Sequence, residues 1–222
     1  ATIAALLVLW RAPLTMIGYK EFPIEFKATS SKPWGVLAVL NVSEPSAVQW
    51  ANISGGSDAR INGAFFSGMM AFHGSPVTIV DSVISGAEGD DGLNLKNIYV
   101  DVNRVRFEGN SSDGLDIDFA LAGVVENSLF IDNGDDGLDI SGSPIIIRNI
   151  EVVNSGDKCV SVGERSTPLI YDSVLQGCAI GLAVKDDSHA KVERVEFVDN
   201  DIAISAYIKK LFFGVPSVSV ID

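Results

Sequence analysis

Aspartate supplies most of the side chains able to do chemistry, and it is unevenly placed. Residues 81–140 hold eleven Asp and three Glu against Lys96, Arg104 and Arg106, a local charge of −11 within a total of −13. The acids recur in one setting, as Gly89-Asp90-Asp91-Gly92-Leu93-Asn94-Leu95, Ser112-Asp113-Gly114-Leu115-Asp116-Ile117 and Gly134-Asp135-Asp136-Gly137-Leu138-Asp139-Ile140. Clustered carboxylates can exchange protons, hold a hard cation such as Ca2+ through oxygen alone, or cap backbone N–H groups ahead of a glycine. Apolar residues interleave with these acids throughout, so the segment is folded and is no acidic tail.

The elements that position these residues repeat. The same motif returns as Gly156-Asp157-Lys158-Cys159-Val160-Ser161-Val162 and, more weakly, at Ile180–Val184 and Ile202–Ala206. A second segment keeps the same step, so that Phe107, Phe130, Val152, Leu175 and Phe197 form an apolar column. Three positions beyond each lies Asn110, Asn133, Ser155, Cys178 or Asn200 at a turn. Strands this short cannot bury their apolar faces alone and must stack on the next repeat. Leucine-rich repeats share the period but need a Leu-x-x-Leu-x-Leu pattern that is absent. The expected fold is all-β, a single right-handed parallel β-helix (a solenoid) of about ten rungs, each of about 22 residues. It is one domain over 1–222, with less regular rungs over 1–68, regular rungs over 69–208 and a terminal strand or turn over 209–222.

Within the irregular part, Gly63–Gly68 reads as an outward loop and the apolar opening, Ala1–Trp10, as a buried first strand, with the remnant of a signal peptide as the alternative. Neither end shows a covering pattern, so caps are expected beyond them.

Stacking at ~4.8 Å converts the repeat into columns. Asp91, Asp113 and Asp136 make one, continued by Lys158; Asn94, Asp116 and Asp139 make another, continued by Ser161; Asp90, Ser112, Asp135 and Asp157 make a third. Asp118 shares a strand face with Asp116. Two unit charges at this spacing repel by ~1 kcal/mol in water and ~3–4 kcal/mol at an effective dielectric near 20. The carboxylates must therefore splay into solvent, keep protons or bind a cation. The candidate metal ligands are Asp90, Asp91, Asp113, Asp116, Asp118, Asp135, Asp136 and Asp139, with Ca2+ the ion that oxygen-only clusters suit. Solvated turns, Ca2+ ligation and carboxylate catalysis all remain open at this level.

The run from Ser111 to Ser141, with Ser-Asp-Gly-Leu-Asp-Ile and then Gly-Asp-Asp-Gly-Leu-Asp-Ile, resembles the Asn-Thr-Asp and Gly-Asp-Asp rungs of polygalacturonases. The resemblance implies an inverting hydrolysis in which Asp113, Asp135 and Asp136 are catalytic. That family's Gly-His-Gly rung falls here on Gly156-Asp157-Lys158, without histidine, and its Arg-Ile-Lys has no counterpart. More broadly, Tyr19 to Lys210 is similar to secreted or surface bacterial β-helix proteins of the pectate-lyase-like group, through Glu21–Phe26, Trp34-Gly35-Val36, Gly156–Glu164 and Val184-Lys185-Asp186. This implies a secreted, periplasmic or cell-surface address and a polysaccharide partner. Lyases of this fold use Ca2+ with a basic residue, for which Lys158, Glu164, Arg165 and Lys185 offer substrate-binding candidates.

Composition closes off other classes. At 47% hydrophobic residues the chain is not disordered, and its acidity leaves no basic surface for nucleic acid. No apolar run reaches membrane-spanning length. His73 and His189 lack metal-ligand spacing and read as exposed loop positions. Cys159 and Cys178 fit either a disulfide or two small buried thiols. Three functions follow: a polysaccharide-binding solenoid with Ca2+, a polysaccharide hydrolase or lyase, or a non-catalytic interaction module.

Overall fold

Alternation of apolar and polar residues over three to ten positions makes half-buried strands, and the structure, a computed structural model, contains no helix over the residues it describes, 6–221. Nine parallel strands form one sheet: Leu7–Trp10, Leu37–Leu40, Gly68–His73, Asp91–Lys96, Leu115–Asp118, Leu138–Ser141, Lys158–Gly163, Ile180–Lys185 and Ile202–Tyr207. A thirteen-stranded sheet forms the other faces of the solenoid. Pairing runs Leu93, Leu115, Leu138, Val160, Leu182, Ile204, the regular step expected from the repeat.

The solenoid has about eight turns where length over period gave about ten. The first turns are longer: Leu7 pairs with Leu37 and Leu37 with Met70, each a wider step than that from Leu93 to Leu115. Part of the excess is an antiparallel hairpin, Ala59–Ile61 with Ala64–Phe66, where the sequence suggested a loop. It is no free loop. Phe66 is 1% exposed and packs with Val36, Ala38 and Ala71, joined by Leu40, Ala59 and Ile61.

The middle turns bend at three corners, each made by one residue in the left-handed region, whereas Glu164-Arg165 and Asp186-Asp187 put two such residues at the corner in the later turns. Asn97, Phe119 and Gly142 form the corner after the nine-stranded sheet; Arg104, Asn127 and Asn149 a second; Gly109, Asp132 and Asn154 a third, all with φ between 50° and 60°. A single left-handed residue redirects an extended chain abruptly, which is why Asn, Asp and Gly dominate these columns.

Inside, the expected apolar column is present: Phe107, Phe130, Val152 and Leu175 pair in register and are fully buried. The Phe107 and Phe130 rings stack at 4.7 Å. Asn110 and Asn133 form a buried amide ladder beside them, Asn110 Nδ2 donating to Asn133 Oδ1 at 2.8 Å. The first strand differs from expectation. Its described residues, Leu7–Trp10, pair only with Leu37–Leu40, and Leu7, Val8 and Trp10 are exposed; Ala1–Ala5 fall outside the described residues. At the other end, Lys209 to Gly214 makes a turn before Ser217–Ile221 pairs with His189–Val198.

Cys159 and Cys178, in successive turns and both buried, are joined as a disulfide. Closing a loop of 19 residues restricts the unfolded chain by about 3 kcal/mol. Cys159→Ser is expected to lower the melting temperature by roughly 5–10 °C. Reductant should produce the same fall in the wild type and none in the variant. An unchanged wild-type melting curve in reductant would count against the bridge.

Candidate functional site

The chemistry lies on the outer face of the nine-stranded sheet. Its middle column runs Ala38, Ala71, Asn94, Asp116, Asp139, Ser161. The two alanines lie beneath the hairpin, so the polar part starts against an apolar wall. From there the polar groups join: His73 Nε2 lies 2.5 Å from Asn94 Oδ1, and Asn94 Nδ2 donates to Asp116 Oδ2 at 2.7 Å. At the far end Lys185 Nζ donates to Ser161 Oγ at 2.7 Å. The file from His73 to Lys185 crosses six consecutive strands.

On one flank stand Asp91, Asp113, Asp136 and Lys158. Asp113 Oδ1 accepts the Asp136 N–H at 2.8 Å and Asp136 Oδ1 accepts the Lys158 N–H at 3.0 Å. Asp113 and Asp136 thus cap the next turn, as a turn-capping role requires, but Asp91 and Asp136 are buried and not solvated. The glycine that follows serves close approach and not a positive φ. A Cβ on Gly114 would meet Gly137 O at 2.7 Å and Phe130 Cδ1 at 3.1 Å. Capping leaves other oxygens free, and Asp91 Oδ2 is buried without a partner. Lys158 closes the column, its Nζ 3.3 Å from Asp136 Oδ1 and also paired with Asp157. The opposite flank carries His73, Lys96, Asp118 and Ser141, with Lys96 Nζ 3.1 Å from Asp118 Oδ2. Ser141 donates to Glu164, which Lys210 pairs.

Two carboxylate groups could hold a metal ion. Asp113, Asp136 and Asp139 present oxygens within 4.8 Å of one another, and so do Asp135, Asp136 and Asp157. Burial, then the Asp136 and Asp91 charges, push Asp113 up to about 9. Burial and Asp90 raise Asp91 to about 7, while burial and Asp139 raise Asp136 to about 6 against the pull of Lys158. Burial, followed by Asp91, Asp118 and Asp139, holds Asp116 well above the usual carboxylate range. Burial lowers His73, keeping that ring neutral. The site favours protons or a cation over a full set of bare charges.

Of the residues singled out from the sequence, Asp91, Asp113, Asp116, Asp136 and Asp139 lie in one electrostatic neighbourhood. Asp90 and Asp135 belong to the outer turn column, where backbone bonds link Asp90, Ser112, Asp135 and Asp157, and both are exposed. Asp118 is on the far flank. Lys158, Glu164 and Lys185 line the file, whereas Arg165 turns to Asp187 at 3.1 Å and to the Phe213 ring. Sequence reasoning missed His73, Lys96 and Lys210. His73 is no exposed loop residue but a half-buried strand end stacked on Phe66 at 5.0 Å; His189 is exposed as expected but begins a strand. Extending the Asp118 column back by the repeat step to 96 and then 73 would have found His73 and Lys96. Lys210 arrives from outside the repeat and carried no such signal.

Among the described residues no helix is long and apolar enough to cross a membrane. No curated protein matches the sequence. Among solved structures, the chain is similar to full-length tailspike protein 2 of the Escherichia coli O157:H7 bacteriophage CAB120, at 10% identity and a TM-score of 0.55. That match covers 99% of this chain and 37% of the tailspike, so the chain spans little more than a third of its length. It also aligns with the catalytic unit of a thermostable GH87 alpha-1,3-glucanase from Streptomyces thermodiastaticus strain HF3-3, at 13% identity and a TM-score of 0.35, over 96% of this chain and 62% of that one. The coiled parallel sheets described above agree with a family model that matches residues 91–213, and the chain belongs to that family, described as "Right handed beta helix region".

Proposed function

We propose that this protein binds a polysaccharide outside the cytoplasm, along the file from His73 to Lys185, with Ca2+ held by Asp113, Asp136 and Asp139. The observation that carries the reading is the file itself. Imidazole, amide, carboxyl, hydroxyl and ammonium groups recur at one-strand spacing along a straight sheet face, as an extended polymer of polyhydroxylated units demands. Lys96, Lys158, Lys185 and Lys210 surround the carboxylates and suit a uronate-bearing chain. Ca2+ is supported by an oxygen-only donor set and by the partnerless Asp91 oxygen beside it. The address is supported by the disulfide, since such bonds persist in oxidising compartments.

Asp113, Asp135 and Asp136 as an inverting catalytic set is the second reading. Inversion needs carboxyl groups ~6.5–9.5 Å apart to admit a water. Asp113 and Asp136 offer oxygens within 4.8 Å, a spacing that favours a shared cation or proton at that pair.

The test is incubation of the protein with polygalacturonate, alginate, dextran and mannan, with Ca2+ and with chelator. Retention on one of these polymers, strengthened by Ca2+, is expected. Products absorbing near 235 nm would mark a lyase, and reducing ends without that absorbance a hydrolase. No retention and no products on the whole panel would sink the reading.

A further inference from the structure

Phe119 stands where a large side chain has no structural reason to be. It occupies the left-handed corner directly after Asp118, at φ 51°. The same corner in the turns around it is held by Asn41, Gly74, Asn97, Gly142, Glu164 and Asp186, none of them aromatic. A phenylalanine in that conformation costs backbone energy that Asn or Gly avoids. Burial does not offset the cost, because the side chain is 49% exposed. The ring nevertheless has a defined seat. A Cβ on Gly142, the corner one turn along, would meet Phe119 Cδ1 at 2.5 Å, so only glycine there lets the ring lie against the backbone. Lys96 Nζ sits 5.8 Å from the ring centre, at the outer limit of cation–π reach, and its charge is already paired with Asp118.

We infer that Phe119 is a stacking platform for one sugar ring of the bound polysaccharide. This rests on the reading of the file as the glycan site. A pyranose presents a C–H face that packs on an aromatic ring and an edge of hydroxyls that needs hydrogen-bonding partners. Phe119 offers the first, fixed by Gly142. Lys96 and Asp118, immediately beside it on the file's flank, offer the second. The sugar class is therefore one with an unobstructed C–H face, and the platform sets which residue of the polymer aligns with Asp116 and Asp118.

Phe119→Asn and Phe119→Tyr test this with the same four polysaccharides. Asn suits the left-handed corner, so its melting temperature should equal or exceed that of the wild type. Its retention on whichever polymer the wild type binds should weaken about tenfold, the size of one lost aromatic contact. Phe119→Tyr should bind as the wild type does. Wild-type retention by the Asn variant overturns the platform while leaving the glycan site intact. A fall in both melting temperature and retention overturns it too, because the ring would then be acting through packing. No retention by the wild type overturns the glycan site and the platform with it.

Discussion

In chelator, the protein should lose stability steadily as pH rises from 4 to 9, by an amount on the order of 5–15 kcal/mol, or at least roughly 10–20 °C in melting temperature. The sign follows from Asp136, Asp91 and Asp113, raised to about 6, 7 and 9 in the folded state. Below the unfolded value of 3.8 both states are protonated and the folded protein is unpenalised. Above it the unfolded chain releases its protons first, so stability drops until pH passes the folded values. Millimolar Ca2+ should restore stability at pH 8 and do little at pH 4, where protons occupy the same oxygens. Asp113→Asn keeps the oxygen that accepts the Asp136 N–H and removes the charge. It should flatten the profile and blunt the Ca2+ response together. Thermal melts across pH, with and without Ca2+, decide the matter; a level wild-type profile in chelator would mean that the columns are solvated well enough to ionise freely.

Phe130→Ala should cost about 3–5 kcal/mol in denaturant unfolding. The ring is fully buried, stacks on Phe107 at 4.7 Å, and continues the column into Val152. Its removal opens a cavity that stacked turns cannot close without breaking backbone ladders on either side. The damage should also reach the site, because Phe130 lies under Gly114, the residue after Asp113. Ca2+ stabilisation in the variant is therefore expected to shrink along with overall stability. A loss below about 1 kcal/mol would show that the turns are held by their backbone bonds and not by the apolar column.

The regular turns are legible in the sequence because the repeat is a register. Once Leu93, Leu115 and Leu138 are aligned, Asn94, Asp116 and Asp139 must stack, and the structure pairs them so. Where the period breaks, sequence reasoning fails for a physical reason. Ala59–Phe66 folds back on Ala38 and Ala71 through tertiary packing, which no local spacing encodes. The same holds for Lys210, which reaches Glu164 from a turn that follows the last repeat. Cys159 and Cys178 are ambiguous in sequence because small thiols suit both buried columns equally well. Burial of the acids is also hidden: Asp91 and Asp136 look like surface turn residues, yet they are only 3% and 4% exposed.

The alternation Leu115-Asp116-Ile117-Asp118, repeated at Leu138-Asp139-Ile140, carries a consequence for how the chain finds its fold. A parallel strand that docks one residue out of place sends every side chain to the opposite face. Here that slip would drive carboxylates into a dry interior and leave leucines and isoleucines in water, an error of many kcal/mol for a single misplaced turn. The charges that strain the finished sheet thus act as a proofreader while it assembles, rejecting offset pairings that a uniformly apolar strand would tolerate. Destabilisation in the native state and fidelity in reaching it have the same source.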